Sequence, residues 1–184
     1  MLDKVALKTA MAYPLSDEDI QTILKPDTTN IIQYPDLVDV TDINTLFDAQ
    51  GRCVVFIPLS KSFGHWCCLI RSKKLHTIEW FDPYAIKPDD EKKWISKVVL
   101  KQLHEDKPYL TNLLRQAHEQ GTRIIYNPYH WQAERDGVSD CGRWVALRCL
   151  LHDKPLSDIN KMIKKSKLTP DAFVTNVIYE ILGK

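Results

Sequence analysis

Gly64-His65-Trp66-Cys67-Cys68-Leu69-Ile70-Arg71-Ser72-Lys73-Lys74-Leu75-His76-Thr77-Ile78-Glu79-Trp80-Phe81-Asp82 reads as two apolar strands joined by a short polar turn. Both halves are rich in the aromatic and branched residues that fit a pleated, half-buried surface. A symmetric hairpin with a loop of two residues (73–74) or four (72–75) pairs Leu69 with Ile78, Cys67 with Trp80 and His65 with Asp82. Directly opposed side chains have Cβ atoms roughly 4.5–5.5 Å apart. The Asp82 carboxylate would then reach one imidazole nitrogen of His65. Lys-Lys is not the chemistry that a tight primed turn demands, so this register rests on symmetry. A slip of one residue would put the two side chains on opposite faces. The other face carries Trp66, Cys68, Ile70, Thr77 and Phe81. With both faces apolar, the sheet is expected to lie between helices. Pro83 ends the second strand and leaves Asp82 at an edge where a site can open.

Further strands are expected at Arg52–Leu59 and Thr122–Asn127, beside Gly64–Arg71 and Leu75–Asp82 of the hairpin. Ser16-Asp17-Glu18-Asp19 reads as a helix N-cap with acids in the first turn, and that helix should stop before Pro26. Pro88 opens a second helix to about Glu105, with Trp94, Ile95, Val98, Val99 and Leu103 at helical spacing. Pro108 to Gln120 forms a third, closed by Gly121, and Thr169 caps a last one ending at Gly183. Cys141 to Leu151 reads as a buried helix that follows a polar loop. The expected fold class is α+β, a mainly antiparallel central sheet flanked by helices, in a single domain over residues 1–184.

Composition excludes several classes. Apolar residues make up 44% and the net charge is +1, so no field strong enough to imply a nucleic-acid partner exists. The basic run Lys161-Met162-Ile163-Lys164-Lys165-Ser166-Lys167 reads as a solvated helix face and its C-terminal turn, ahead of a phosphate-binding surface. Five cysteines without a Cys-x-x-Cys pair argue against a secreted disulfide framework and against structural zinc. No signal-like N-terminal run is present, nor any stretch of about 18 apolar residues, so no membrane partner is expected. A reducing intracellular compartment is expected.

Four residues then carry chemistry in order along the chain: His65, Asp82, Gln132 and Cys141. At the start of a helix, Cys141 would meet unpaired N–H groups and the macrodipole, both of which favour a thiolate. An imidazolium from His65 would pair with that anion, and Asp82 would orient the ring. The Cys141 N–H and the amide of Gln132, nine residues earlier, could hold an oxyanion. Gly142 would let a substrate backbone approach. Each residue alone has a plain structural reading; a single cysteine is usually a small core hydrophobe. The weight lies in their types, order and contexts together. Cys53, Cys67, Cys68 and Cys149 are expected in the core, and Glu79 should point away from Asp82. A metal at His65 and Cys67 is set aside for want of further ligands, and no cofactor is expected.

His65-Trp66 on a strand, Asp82 ending the next, and Gln132 before Cys141-Gly142 resemble the adenain-like cysteine proteases. These include adenovirus maturation proteases and the SUMO- and ubiquitin-like-protein proteases. Phe81-Asp82-Pro83-Tyr84 and Asp140-Cys141-Gly142-Arg143-Trp144 look most like the virophage, polinton and giant-virus members. The matching motifs span residues 64–151, about half the chain. The resemblance implies the adenain fold, with Cys141 as nucleophile, His65 as base and acid, Asp82 as orienter and Gln132 in the oxyanion hole. It implies Trp66 as a shaping residue, and as substrate a viral capsid or structural precursor cleaved within the host cell or the virion. The gap from Gln132 to Cys141 is longer than in cellular and adenoviral members. A deconjugase of SUMO-like tails, an acetyltransferase on the same triad, and a non-catalytic capsid- or DNA-associated module are the rival readings. A peptide or DNA activator is not expected.

Overall fold

The computed structural model describes residues 1–25, 29–60 and 63–183. Five strands form one sheet in sequence order: β1 (Asn30–Gln33), β2 (Arg52–Pro58), β3 (Gly64–Ser72), β4 (Thr77–Phe81) and β5 (Arg123–Tyr126). The central β2–β3–β4 meander is antiparallel, and each edge strand joins it in parallel. Parallel pairing needs a crossover, here residues 34–51 on one side and the long helical segment 82–122 on the other. The four-residue β1 was not among the expected strands; a run that short carries too little periodicity to read.

The helices are α1 (Lys4–Ala12), α2 (Asp17–Leu24), α3 (Lys97–Gln102), α4 (Tyr109–Glu119), α5 (Cys141–Leu150), α6 (Leu156–Ser166) and α7 (Pro170–Leu182). Ser16 and Asp19 cap α2 reciprocally, as the sequence implies, and Thr169 and Gly183 bound α7. Pro26, the expected stop for α2, lies outside the described residues. None of the described helices is long and apolar enough to cross a membrane.

Alternate residues of β3 serve two cores, as period 2 requires. Trp66, Cys68 and Ile70 pack with Phe81 against α2, α5, α6 and α7. Cys67 and Leu69 pack with Ile78 and Trp80 against α4 and the segment around Tyr34. The sheet is therefore covered on both faces.

Two expectations are corrected. The helix expected from Pro88 to Glu105 is broken into a 3-10 turn at Asp90–Trp94 and the short α3. Asp89 sits in the left-handed region (φ 67°), Ile95 is extended, and Ser96 starts a new helix by accepting the Val99 N–H at 3.3 Å. α3 buries no residue and Val98 is exposed, so no core face rewards a continuous helix. The hairpin register is also displaced: Leu69 lies opposite Trp80, and Arg71 opposite Ile78. The turn occupies residues 73–76, with His76 at φ 49° and the Ser72 hydroxyl accepting the Leu75 N–H. His76 makes the left-handed step that closes the loop.

Candidate functional site

A displacement of two residues keeps every side chain on its face but changes its neighbours. Extended beyond Phe81, the observed register sets Asp82 across from Cys67 and diagonal to His65. A diagonal separation of about 7–8 Å between Cα atoms is still within reach of longer side chains. His65 Nε2 lies 2.8 Å from Asp82 Oδ2, so the expected pair forms through the diagonal. Cys67, expected only as core, donates to that same oxygen at 3.2 Å. The other oxygen, Oδ1, accepts the Tyr84 N–H at 2.7 Å, and the Asp82 carbonyl accepts from the Asn127 amide. Pro83 turns the chain out of the sheet here, and its carbonyl accepts the N–H groups of Trp131 and Gln132 at 2.9 and 3.1 Å.

That last contact accounts for the long interval between Gln132 and Cys141. The loop 127–140 is pinned at one end by Pro83 and Asn127 and in its middle by Asp171 of α7, which accepts the Ala133 N–H. Ser139 donates to the Met11 carbonyl near its other end. Extra residues are thus taken up between fixed points. Gln132 stays 2% exposed beside the cleft, its Oε1 without a hydrogen-bond partner.

Cys141 is the first residue of α5, and the N-cap Asp140 places no side-chain bond on the helix start. Its carboxyl instead accepts from Thr175 of α7 at 3.2 Å and pairs with Arg143 at 3.4 Å. Burial pushes the Asp140 pKa up to about 7, while Arg143 opposes the shift. The leading N–H groups of a helix lack intrahelical partners, and Asp140 does not take up those of α5 with its side chain. Gly142 is buried, and its role differs from the expected one. A Cβ there would sit 2.9 Å from Leu15 Cβ and 3.2 Å from Trp66 Cδ1. Hydrogen at this position seats α5 against Trp66, whose indole N–H is held by the Leu15 carbonyl. Trp66 therefore backs the start of α5 and lines the cleft beside it.

His65 joins the two halves. Burial disfavours its charged ring, but the Asp82 carboxylate that it bonds and the neighbouring Cys141 raise its pKa well above the usual imidazole value. Burial and the neighbouring Asp82 carboxylate push the Cys67 thiol up, which keeps it an S–H donor. Tyr84, given no role from sequence, lays its ring 5.2 Å from that of His65. Glu79 faces the other side of the sheet and pairs with Arg148 of α5 at 2.7 Å, as its strand parity requires. His130 lies at the rim near Tyr84, while Trp131 is buried and stacks on Tyr129 and Trp144.

A cleft of about 890 Å³ opens over these residues, lined by His65, Tyr84, Gln132 and Cys141 and walled by Leu15, Phe56 and Trp66. All four expected site residues are thus at or just beneath one surface, Asp82 behind the ring of His65. Among the described residues, the one set of ligand-type side chains with converging donor atoms is His65, Cys67 and Asp82, all within 4.8 Å of one another.

No protein-family model matches the chain. Among solved structures, it resembles the C-terminal Ulp1 protease domain in complex with Smt3, the yeast ortholog of SUMO. The identity there is 20% and the TM-score 0.43, over 97% of this chain and 82% of that one. The SUMO protease Ulp1 with its catalytic cysteine oxidized to a sulfonic acid gives 18% identity and a TM-score of 0.44, over 96% and 85%. Protein V9 of the Sputnik virophage, itself uncharacterized, is 31% identical over 175 residues. That alignment takes in 93% of this chain and 97% of V9, and on it the chain belongs to the family of the Sputnik virophage protein V9.

Proposed function

We propose that this chain is a cysteine endopeptidase with Cys141 as nucleophile, His65 as base and acid, Asp82 as orienter and Gln132 as oxyanion donor. One observation carries the reading: the His65 ring, bonded to Asp82 through Nε2 at 2.8 Å, lines the same cleft as Cys141 at the uncapped start of α5. With Nε2 on Asp82, Nδ1 is the nitrogen left for the thiol. His65 takes the Cys141 proton, and the thiolate attacks the scissile carbonyl to form a tetrahedral intermediate. The Cys141 N–H and the Gln132 amide hold its oxyanion. His65 then gives the proton to the departing amine, and water, activated by the same ring, hydrolyses the acyl-enzyme. Trp66 and Phe56 supply an apolar floor for an extended peptide.

The virophage relative favours a viral structural precursor as the substrate, cleaved inside the infected host cell. The test is incubation of the purified chain with the capsid proteins of its own virus, using Cys141→Ala as control. Discrete fragments from the wild-type chain and none from the variant are expected. Cleavage that survives Cys141→Ala would refute the assignment. Labelling of Cys141 by SUMO-tail probes, with capsid proteins untouched, would instead make it a deconjugase.

A further inference from the structure

Cys67 takes no part in the proposed hydrolysis, yet its thiol is directed at the carboxylate oxygen that holds the His65 ring. Cys67 Sγ lies 3.2 Å from Asp82 Oδ2 and His65 Nε2 lies 2.8 Å from it, with all three donor atoms within 4.8 Å of one another. Tetrahedral zinc takes sulfur at about 2.3 Å and nitrogen or oxygen at about 2.0–2.2 Å, which puts ligand atoms roughly 3.3–3.7 Å apart. The side chains are within small adjustments of that spacing. Asp82 is already braced for the task, because Tyr84 holds Oδ1 and leaves Oδ2 facing the other two donors.

Another buried carboxyl lines the same cleft. Glu91 is 1% exposed, and neither of its carboxylate oxygens has a hydrogen-bond partner. Cys67 also feels its charge. A buried carboxyl without a partner is costly, and a cation beside it removes that cost. One thiol, one imidazole and one carboxylate form a donor set of zinc; magnesium and calcium take oxygen alone.

We propose that His65, Cys67 and Asp82 form a three-ligand zinc-class site that reversibly silences the triad. The consequence for catalysis rests on the protease reading; the metal site does not. Starting from the imidazolium, binding releases two protons, one from the Cys67 thiol and one from His65 Nε2, and the metal takes both lone pairs. The ring keeps its proton on Nδ1 and cannot accept another from Cys141. No oxidation state changes, and chelation restores the triad.

The test uses the full chain carrying Cys141→Ala, which removes the nucleophile as a competing ligand and makes the readout independent of proteolysis. Titration of Zn2+ against a chromophoric chelator should show one bound equivalent, and Co2+ should give a thiolate-to-metal charge-transfer band. Adding Cys67→Ser, whose hydroxyl can still donate to Asp82, should abolish the band and weaken Zn2+ about 100-fold or more. Glu91→Gln should weaken it roughly 10-fold. His65→Ala provides a second ligand deletion should the serine variant fail to fold. A cobalt band that survives Cys67→Ser, or no bound equivalent in the Cys141→Ala chain, overturns the site. With Cys141 restored, Zn2+ should inhibit cleavage and Cys67→Ser should relieve that inhibition. A chain that binds zinc but cleaves nothing would sink the protease reading and leave the metal site standing.

Discussion

The Asp82 carboxylate accepts from His65, Cys67 and the Tyr84 N–H, so its orientation is over-determined. Asp82→Asn would keep the shape but offer an N–H where the ring needs an acceptor, favouring the wrong tautomer. Loss of kcat by roughly 10³–10⁴-fold is expected, with the melting temperature nearly unchanged; single-turnover kinetics on a capsid precursor measure it. Gln132 is placed by its backbone bond to Pro83, and in the proposed mechanism its amide acts only through the oxyanion. Gln132→Ala should lower kcat by about 10²–10³-fold and leave KM close to wild type. A large rise in KM with kcat intact would show that Gln132 binds substrate instead.

In the proposed mechanism two elements carry the reacting groups, β3 with His65 and α5 with Cys141, and two contacts fix their relation. Arg148 of α5 bonds Glu79 of β4 at 2.7 and 3.2 Å, a buried pair well away from the nucleophile. Arg148→Met leaves the Glu79 carboxylate buried without its cation, so about 3–5 kcal/mol of stability should be lost in denaturant unfolding. Replacing both partners with apolar residues should recover much of it. At the other end Gly142 seats α5 against Leu15 and Trp66. Gly142→Ala should cost about 1–3 kcal/mol through overpacking. It should also lower kcat by moving Cys141 relative to His65, seen as slower alkylation of Cys141.

Across the whole molecule, buried carboxyls set the response to pH. Burial first, then like charge, raises Glu91, Glu105 and Asp140 to about 7 from the ordinary carboxylate range. The folded chain therefore holds these protons more tightly than the unfolded chain does. Their contribution to stability is full below the unfolded values and is lost as pH rises through about 7. The melting temperature should fall between about pH 5 and pH 8. Glu105 is 0% exposed, with both oxygens unpartnered. Glu105→Gln should add about 1–2 kcal/mol at pH 8, roughly 2–8 °C in melting temperature, and much less at pH 5. An equal gain at both values would place the effect in packing and not in charge.

Local chemistry made much of this legible in advance. Ser16, Thr169 and Gly183 bound their helices through their own capping preferences, β3 and β4 follow from composition and alternation, and Cys141 starts a helix because a polar loop meets an apolar run. Parity alone put His65 and Asp82 on one face, since a two-residue error in register leaves faces unchanged. What stayed hidden depends on parts distant in sequence. The turn at residues 73–76 chose which residue lies across from Asp82, and so brought Cys67 to it. The tie from Pro83 to Gln132 decided where a long loop delivers its amide. Packing of Gly142 against Leu15 and Trp66 decided why that residue is glycine. Periodicity reports which way a side chain faces; which neighbours it meets there is settled by turn closure and long-range packing.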